Sequence, residues 1–492
     1  MNLIRNYLLI AGLLLFNYSI AQNYQAINGS QFAGSLAPSN NPAAIVYVPY
    51  AWDITPFAAQ VKQSTNAFKI NNYSLLSSPK NIKIAAENGV KKRFVFTNQD
   101  ARLLNARFTL NSTSAIAFGA SIRSFAYAKA CNSNWQDTAY SLADYLKINL
   151  DKVPLSADAA ASNWAELYVS YAQTVYRDAN KILNAGITIN YNRAISGGYG
   201  LTNNINYVPT VTAKPGYLLT TGSLQYGYSA NFDKIDSNKT GAANRKLFLQ
   251  NNHYSFGASV GFEYIIVTEQ DINLNNDLVD DFAYDTKIGL SIMDIGSNKY
   301  SFGSRSRVAS GVLPGITDTL LENKFNTVTT LDNFNDSLAS IAASFQQMSG
   351  DFYIYKPTRL VVNIDQHIAD NFFINAEITL PLLPILANSS LFIRDMNFIA
   401  VTPRWETKTF GAYLPILFNN RQQLWVGGAF KAGPLLLGIH NLANLFSKNS
   451  TQTGGFYLAI TLRPGKIYDR QAHDPHNKIS SKTKRGISCP KF

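Results

Sequence analysis

The chain has 492 residues, of which 46% are apolar, 12% aromatic and only 15% charged, and its formal net charge is +12. Two cysteines, Cys131 and Cys489, exclude a disulfide scaffold. The basic residues are scattered rather than striped, and several gather near the C-terminus, so the positive balance does not point to nucleic acid.

Residues 1–20 read MNLIRNYLLIAGLLLFNYSI: Arg5, an apolar core over 8–16, then the small-x-small site Ser19-Ile20-Ala21. The core is too short to span a bilayer, so residues 1–21 are expected to be a secretory signal peptide, with Gln22 opening the mature chain. No later stretch approaches the roughly 18 apolar residues of a membrane helix. Residues 22–50 hold the turn-forming Asn40-Asn41-Pro42, in which Pro42 keeps Asn41 out of the helical region. This turn lets residues 32–36 fold back. An ordinary lead-in to the first strand is the alternative.

From residue 51 to residue 463 the pattern is alternation. Ile116, Phe118, Ala120 and Ile122 interleave with Ala117, Gly119, Ser121 and Arg123. Leu183, Ala185, Ile187, Ile189 and Tyr191 interleave with Asn184, Gly186, Thr188 and Asn190. Further rows are Phe410, Ala412, Leu414, Ile416, Phe418 and Phe456, Leu458, Ile460, Leu462. Side chains alternate faces in a strand, and segments of about ten residues suit a tilted membrane strand better than an average soluble one. Tight connections (111–113, 177–180, 214–216, 367–370, 407–408, 431–433) mostly alternate with wide ones (73–101, 130–163, 233–252, 296–353, 441–454). Short turns on one side and long loops on the other describe a membrane barrel. The expected fold is therefore all-β, a closed antiparallel transmembrane barrel of about 14 strands (12–16).

Three segments within this span need a separate reading. His253 to Ile266, HYSFGASVGFEYII, contains the spacing of a G-x-S-x-G nucleophile elbow around Ser259. An elbow needs a strand, a sharp turn and a helix, whereas the alternation here runs straight through, so a strand is expected. The turn TEQDINLNNDLVDD sets Asp271, Asn273, Asn275 and Asp277 at every second position, as calcium ligands stand. Asn276 replaces the required glycine and Phe282 the bidentate glutamate, so a solvated acidic turn is the favoured reading and no metal is expected. In residues 330–348, Leu331, Phe334, Leu338, Ile341, Phe345 and Met348 fall at helical spacing, which predicts an amphipathic helix in the longest loop.

Among titratable residues, Arg123, Glu263, Glu377 and Arg463 lie on the polar faces of strands and are expected to point into the lumen, as ligand contacts or as a structural charge ladder. His253, His367 and His440 are not paired by spacing with any serine or acid. His473 and His476 are separated by Pro475, which breaks the helix that would align them on a metal. No catalytic constellation stands out. After Arg463 the chain is polar and unpatterned, and residues 464–492 are expected to be a flexible basic tail carrying Cys489.

The stretch GSLAPSNNPAAIVYV (34–48) resembles the segment of fatty-acid-transporter-like outer-membrane barrels in which Asn-Pro-Ala belongs to an N-terminal hatch. IGLSIMDIGSNKYSF (288–302) is similar to a strand ending in Asp-Ile-Gly in that superfamily. YIYKPTRLVVNIDQHIADNFFINAEI (353–378) is similar to its Pro-Thr-Arg segment followed by strand, turn and strand. Together they resemble a Bacteroidota outer-membrane family of unknown function, related to these barrels and to barrels associated with type IX secretion. The resemblance implies a hatch at 22–50 centred on Asn41, Pro42 and Ala43, a barrel at 51–463 and no cofactor. It implies a non-enzymatic protein of a Gram-negative outer membrane that binds or passes small hydrophobic molecules. A scaffold or shuttle in protein secretion is the alternative. Expected partners are outer-membrane lipid, a small hydrophobic ligand, the barrel assembly machinery and, in the alternative, secretion-system proteins, with no nucleic acid.

Overall fold

The computed structural model describes residues 24–72, 74, 83–137, 141–210, 216–267, 283–382, 391–394, 398–419, 423–446, 452–465 and 468. The signal peptide, most of the tail with Cys489, His473 and His476, and the calcium candidates Asp271, Asn273, Asn275 and Asp277 lie outside the described residues.

The alternating rows form antiparallel strands, each hydrogen-bonded to the next along the chain. In order they are β1 (Trp52–Thr65), β2 (Gly89–Asn111), β3 (Ser114–Trp135), β4 (Leu155–Arg177), β5 (Lys181–Pro209), β6 (Tyr254–Ile266) and β7 (Thr286–Ser301). There follow β8 (Arg359–Ala369), β9 (Phe372–Pro381) and β10 (Phe398–Glu406). Then come β11 (Phe410–Tyr413 with Ile416–Asn419), β12 (Leu424–Val426 with Gly428–Ala432), β13 (Leu435–Ile439) and β14 (Thr453–Gly454 with Phe456–Leu462). β14 pairs back onto β1, with Ala58 opposite Ala459, so among the described residues fourteen strands close a ring. Closure leaves no wall strand with an open edge, the condition for backbone in lipid.

The two faces of the wall differ as the alternation requires. Leu167, Val169, Ile189, Phe262, Ile399, Phe418 and Leu437 point outward and are each about half exposed, while Ser121, Glu166, Thr188, Ser259 and Glu377 on the inward face are buried. So broad an apolar surface is the composition of a lipid-facing wall and would drive association in water. Tight turns close one rim, between β2 and β3, β4 and β5, β8 and β9, β10 and β11, and β12 and β13. This is the near rim, where β1 starts and β14 ends. The wider connections gather at the far rim, except the one from β6 to β7, which joins Ile266 to Thr286 on the near side.

Strands on the far side are longer than the ten residues the alternation suggested. β5 runs for 29 residues, and its extension pairs with Tyr217–Tyr228 beyond the rim. The strands either side of the connection expected at 214–216 therefore pair on the far side, not at the near rim; Lys214 and Pro215 themselves lie outside the described residues. Tyr217–Tyr228 pairs with Arg307–Val312, and that strand with Ala342–Gln347, building a small sheet with its own apolar core around Ile316, Leu338 and Ile341. The helix expected over 330–348 is shorter than its spacing implied. It spans Leu331–Ala339, capped by the Thr330 side chain, and Ala342–Gln347 is a strand. Phe345 lies opposite Ala309, and this pairing outweighs the helical spacing. The 410–418 row is likewise two short strands separated around Pro415.

Candidate functional site

Residues 24–50 lie inside the barrel. Three short 3-10 turns, Gln25–Ile27, Gly34–Ser39 and Pro42–Ile45, compact the segment. Asn41 is extended (φ −152°, ψ 112°), as a residue before proline must be, and its side-chain oxygen accepts the Ala43 N–H at 3.0 Å, capping the turn that Pro42 begins. The Asn41 amide then donates to Phe262 O on β6 at 2.8 Å.

That approach needs a wall without side chains. A Cβ on Gly261 would stand 2.1 Å from Asn41 Oδ1, one on Gly186 2.6 Å from Ala43 N, and one on Gly289 3.0 Å from Asn41 Nδ2. Gly186 pairs directly with Gly261, so three neighbouring strands form a cradle for Asn41-Pro42-Ala43. Elsewhere at this level much of the wall is alanine, with Tyr413, Leu436 and Tyr457 beside it. Ala58, Ala115, Ala117, Ala172 and Ala459 pack against Ile27, Leu36, Ile45 and Val46 of the segment.

Strands around the ring grip its main chain. Arg107 Nε donates to Ile45 O at 2.8 Å, Arg359 Nη2 to Ser39 O at 3.0 Å, Lys287 Nζ to Gly29 O and Arg463 Nη2 to Phe32 O. In return Asn28 Nδ2 donates to Glu377 Oε2 at 2.7 Å and Ser30 Oγ to Glu406 Oε2 at 2.6 Å. The Ser35 and Thr55 hydroxyls meet at 2.9 Å. Between segment and wall remains a cavity of about 40 Å³ lined by Asn28, Glu263, Lys287, Asn363 and Glu377, among others. It has room for a few waters and no larger guest.

Above the segment lies a layer of charge. Arg123 Nη2 binds Asp294 Oδ2 at 2.9 Å and Arg123 Nη1 reaches Glu166 Oε2 at 3.3 Å. Arg359 also binds Asp294, and Lys356 Nζ bridges Asn192 Oδ1 (2.7 Å) and Glu166 Oε2 (3.4 Å). Asp294 holds this post with φ +60°, supported by Ser259 Oγ, which accepts its N–H at 3.1 Å, and by Thr358 Oγ1, which donates to its carbonyl at 3.0 Å. Buried charge is tolerable only when so fully paired.

Above the charge the lumen turns aromatic. Phe125 and Trp164 stack at 5.4 Å with planes 8° apart, and Phe352, from the far-side strand Asp351–Tyr355, packs on Tyr300 at 5.4 Å and Phe302 at 4.7 Å. Phe94, Phe96, Tyr199, Phe398 and Trp425 complete this layer. Its floor is cationic: Arg123 and Lys356 lie 5.1 and 5.3 Å from the Trp164 ring, and Lys62 lies 4.0 Å from the Phe398 ring.

The structure brings the residues singled out from sequence to this lumen in different roles. Arg123, Glu263 and Glu377 are buried and inward, while Arg463 stands at the near rim against Phe32 and Tyr50. Glu263 meets Asn184 at 3.3 Å. Ser259 is a strand residue holding Asp294, and its flanking Gly261 clears space for Asn41. Spacing did not pair His253 with a serine or an acid, yet its Nε2 lies 2.8 Å from Ser301 Oγ and 3.5 Å from Asp351 Oδ1. Both partners face the same ring nitrogen and Ser301 donates to Asp351 at 2.7 Å, and among the described residues no acid orients the far nitrogen as a hydrolytic triad requires. Asp294, Glu166, Lys356 and Arg359 were missed as site residues. For Asp294, Lys356 and Arg359 the signal was in the quoted D-I-G and K-P-T-R strings, which meet at Asp294; Glu166, on β4, lies in neither string.

A family model described as "Family of unknown function (DUF5723)" matches residues 42–439. No curated protein matches the chain. Among solved structures, a Pseudomonas aeruginosa FadL homologue aligns at 11% identity over 91% of this chain and 98% of its own, with a TM-score of 0.40. The P. putida toluene transporter TodX aligns at 7% identity over 86% of this chain and 92% of its own, with a TM-score of 0.38. The CymD monoaromatic hydrocarbon channel aligns at 8% identity over 91% and 99%, with a TM-score of 0.32. At these scores the likenesses carry no argument.

Proposed function

The chain belongs to the DUF5723 family, whose function is unknown, and we propose that it is a non-enzymatic outer-membrane barrel that takes small apolar molecules into its lumen behind an N-terminal hatch. In this reading the near rim with its tight turns is periplasmic and the far rim extracellular. Residues 22–50 are the hatch, seated by Asn41, Pro42 and Ala43.

The observation that carries the reading is the aromatic layer. A lumen that only passed ions or polar solutes has no use for Phe125, Trp164, Tyr300 and Phe352 packed across its far half. Rings held by dispersion part for an apolar guest and keep most of their contacts, because the guest replaces them. The paired charge below stops such a guest, since a hydrocarbon cannot satisfy Arg123 or Lys356 if it displaces their partners. Entry is therefore from the far side, and onward passage requires the hatch to leave its glycine cradle.

Equilibrium dialysis of naphthalene against the purified barrel in detergent tests this. Wild type should bind saturably. Trp164→Asp with Phe352→Asp should abolish saturation while the protein still migrates faster unboiled than boiled in detergent gels. Equal, non-saturable partitioning into both proteins would refute the reading.

A further inference from the structure

On the outer surface at the far rim, β5 and β6 carry the aromatic row Tyr191, Tyr254 and Phe256, with Phe256 70% exposed. Tyr191 stacks on Tyr254 at 5.4 Å and 5°. Immediately above, on the same outward face, Arg193 lies 5.9 Å from the Tyr254 ring and donates to Leu249 O. Leu249 ends a folded loop made of the 3-10 turn Ala230–Lys234 and the helix Gly241–Phe248, pinned to β5 by Asn231 Nδ2 donating to Ile195 O at 2.6 Å.

This loop is two-sided. Phe232 packs edge-on against Phe248 at 5.1 Å, and Phe232, Ile235 and Leu249 remain exposed, continuing the apolar wall upward. The same loop carries Lys234, Lys239, Arg245 and Lys246, with Arg193 below. Its acids are occupied: Asp233 by Tyr228 Oη at 2.6 Å and the Ser304 N–H at 2.6 Å, and Asp236 by Lys239 at 3.7 Å. Arg245 and Lys246, in the last turn of the helix, are exposed with no acidic partner among the described residues. Exposed rings beside free cations, at the height where an apolar belt ends, match the level of lipid headgroups.

We propose that this loop is a docking site for the phosphate groups of anionic lipid headgroups in the membrane leaflet at the far rim. The inference rests on the outer-membrane reading above. Phe232, Ile235 and Leu249 enter the acyl boundary, and Arg245, Lys246 and Arg193 close on the phosphate from above and beside it.

Native mass spectrometry of the full barrel in detergent, titrated with phosphatidic acid or phosphatidylcholine, provides the test. Wild type should retain phosphatidic acid preferentially. Arg245→Gln with Lys246→Gln should weaken that retention at least about tenfold, and the charge reversal Arg245→Glu with Lys246→Glu should remove it. Inorganic phosphate at equal concentration should not compete. Equal retention by wild type and variants overturns the site, as does equal retention of the two lipids. Displacement by inorganic phosphate would make it a free-anion site and overturns the lipid assignment. Heat-modifiable gel migration separates the premises. Its retention in a variant that still holds phosphatidic acid refutes the docking site alone, and its absence in wild type refutes the barrel reading itself.

Discussion

In the near half of the lumen Gly186, Gly261 and Gly289 give way to a folded segment of the chain, whereas in the far half Phe125, Trp164 and Phe352 meet across the same interior with their own rings. The near half is held by directional contacts: an asparagine capping its own turn, cations on carbonyls, hydroxyls on carboxylates. Each needs its partner at a set distance, so in the proposed function the segment is either seated or released. The far half is held by dispersion and area, which are non-directional and survive rearrangement. Between them, Asp294 faces both ways: Arg123, which also lies against Trp164, and Arg359, which also holds Ser39 O. In the proposed function, one interior thus joins a latch to a deformable chamber.

Breaking the latch outright should have the largest effect. Deletion of residues 23–38 should raise single-channel conductance in planar bilayers while heat-modifiable migration persists; unchanged conductance in the folded deletion would deny the segment its plugging role. Next comes the node between the halves. Arg123→Met leaves Asp294 and Glu166 buried with fewer cations and should cost about 3–5 kcal/mol in urea unfolding. Adding Asp294→Asn should recover part of that loss, and a single-variant cost under about 1 kcal/mol would show that the node braces nothing.

The cradle sharpens the comparison further. Gly186→Val drives a side chain against hatch backbone and should cost about 1–3 kcal/mol, with proteolytic nicking of the hatch as a second readout. Gly261→Ala should cost less, because the atom it meets first is the end of the Asn41 side chain. The reverse order would misplace the Asn-Pro-Ala turn. The smallest effect lies at the far rim. Hydrogen bonds from Lys299 and then Ser301 hold the Asp351 carboxyl below its ordinary range. A lowered carboxyl stabilises above its unfolded value and loses that contribution as pH falls through the folded one, so this tie is intact at neutral pH and lost below about pH 4. Asp351→Asn should therefore change stability by roughly 0.5 kcal/mol or less at pH 7, and by nothing measurable in acid.

The wall was legible from sequence because one rule governs it: Ile187, Ile189 and Tyr191 face outward, and Asn184, Thr188 and Asn190 face inward, as period two demands. The turn at Asn41 was legible because proline restricts its predecessor. The far-side sheet was not. Ile341, Phe345 and Met348 continue a helical spacing, and only pairing with Arg307–Val312, a non-local event, makes a strand of Ala342–Gln347 between the outer two. The charge node was equally hidden. Arg123 and Asp294 stand 171 residues apart, and no local period joins them. Sequence placed Arg123 on an inward face without indicating its partner.

The most direct test of the hatch as gate is to weld it to the wall. Ser35 and Thr55 are fully buried with their hydroxyls 2.9 Å apart, one on the hatch and one on β1, which brings paired cysteines within bonding reach. Ser35→Cys with Thr55→Cys, in a background of Cys131→Ser and Cys489→Ser, is reconstituted into vesicles, and naphthalene entry is followed with and without reductant. The account predicts entry in the reduced protein and none in the oxidised one, with wild type indifferent to reductant. Equal entry in both redox states of a fully cross-linked protein would contradict it.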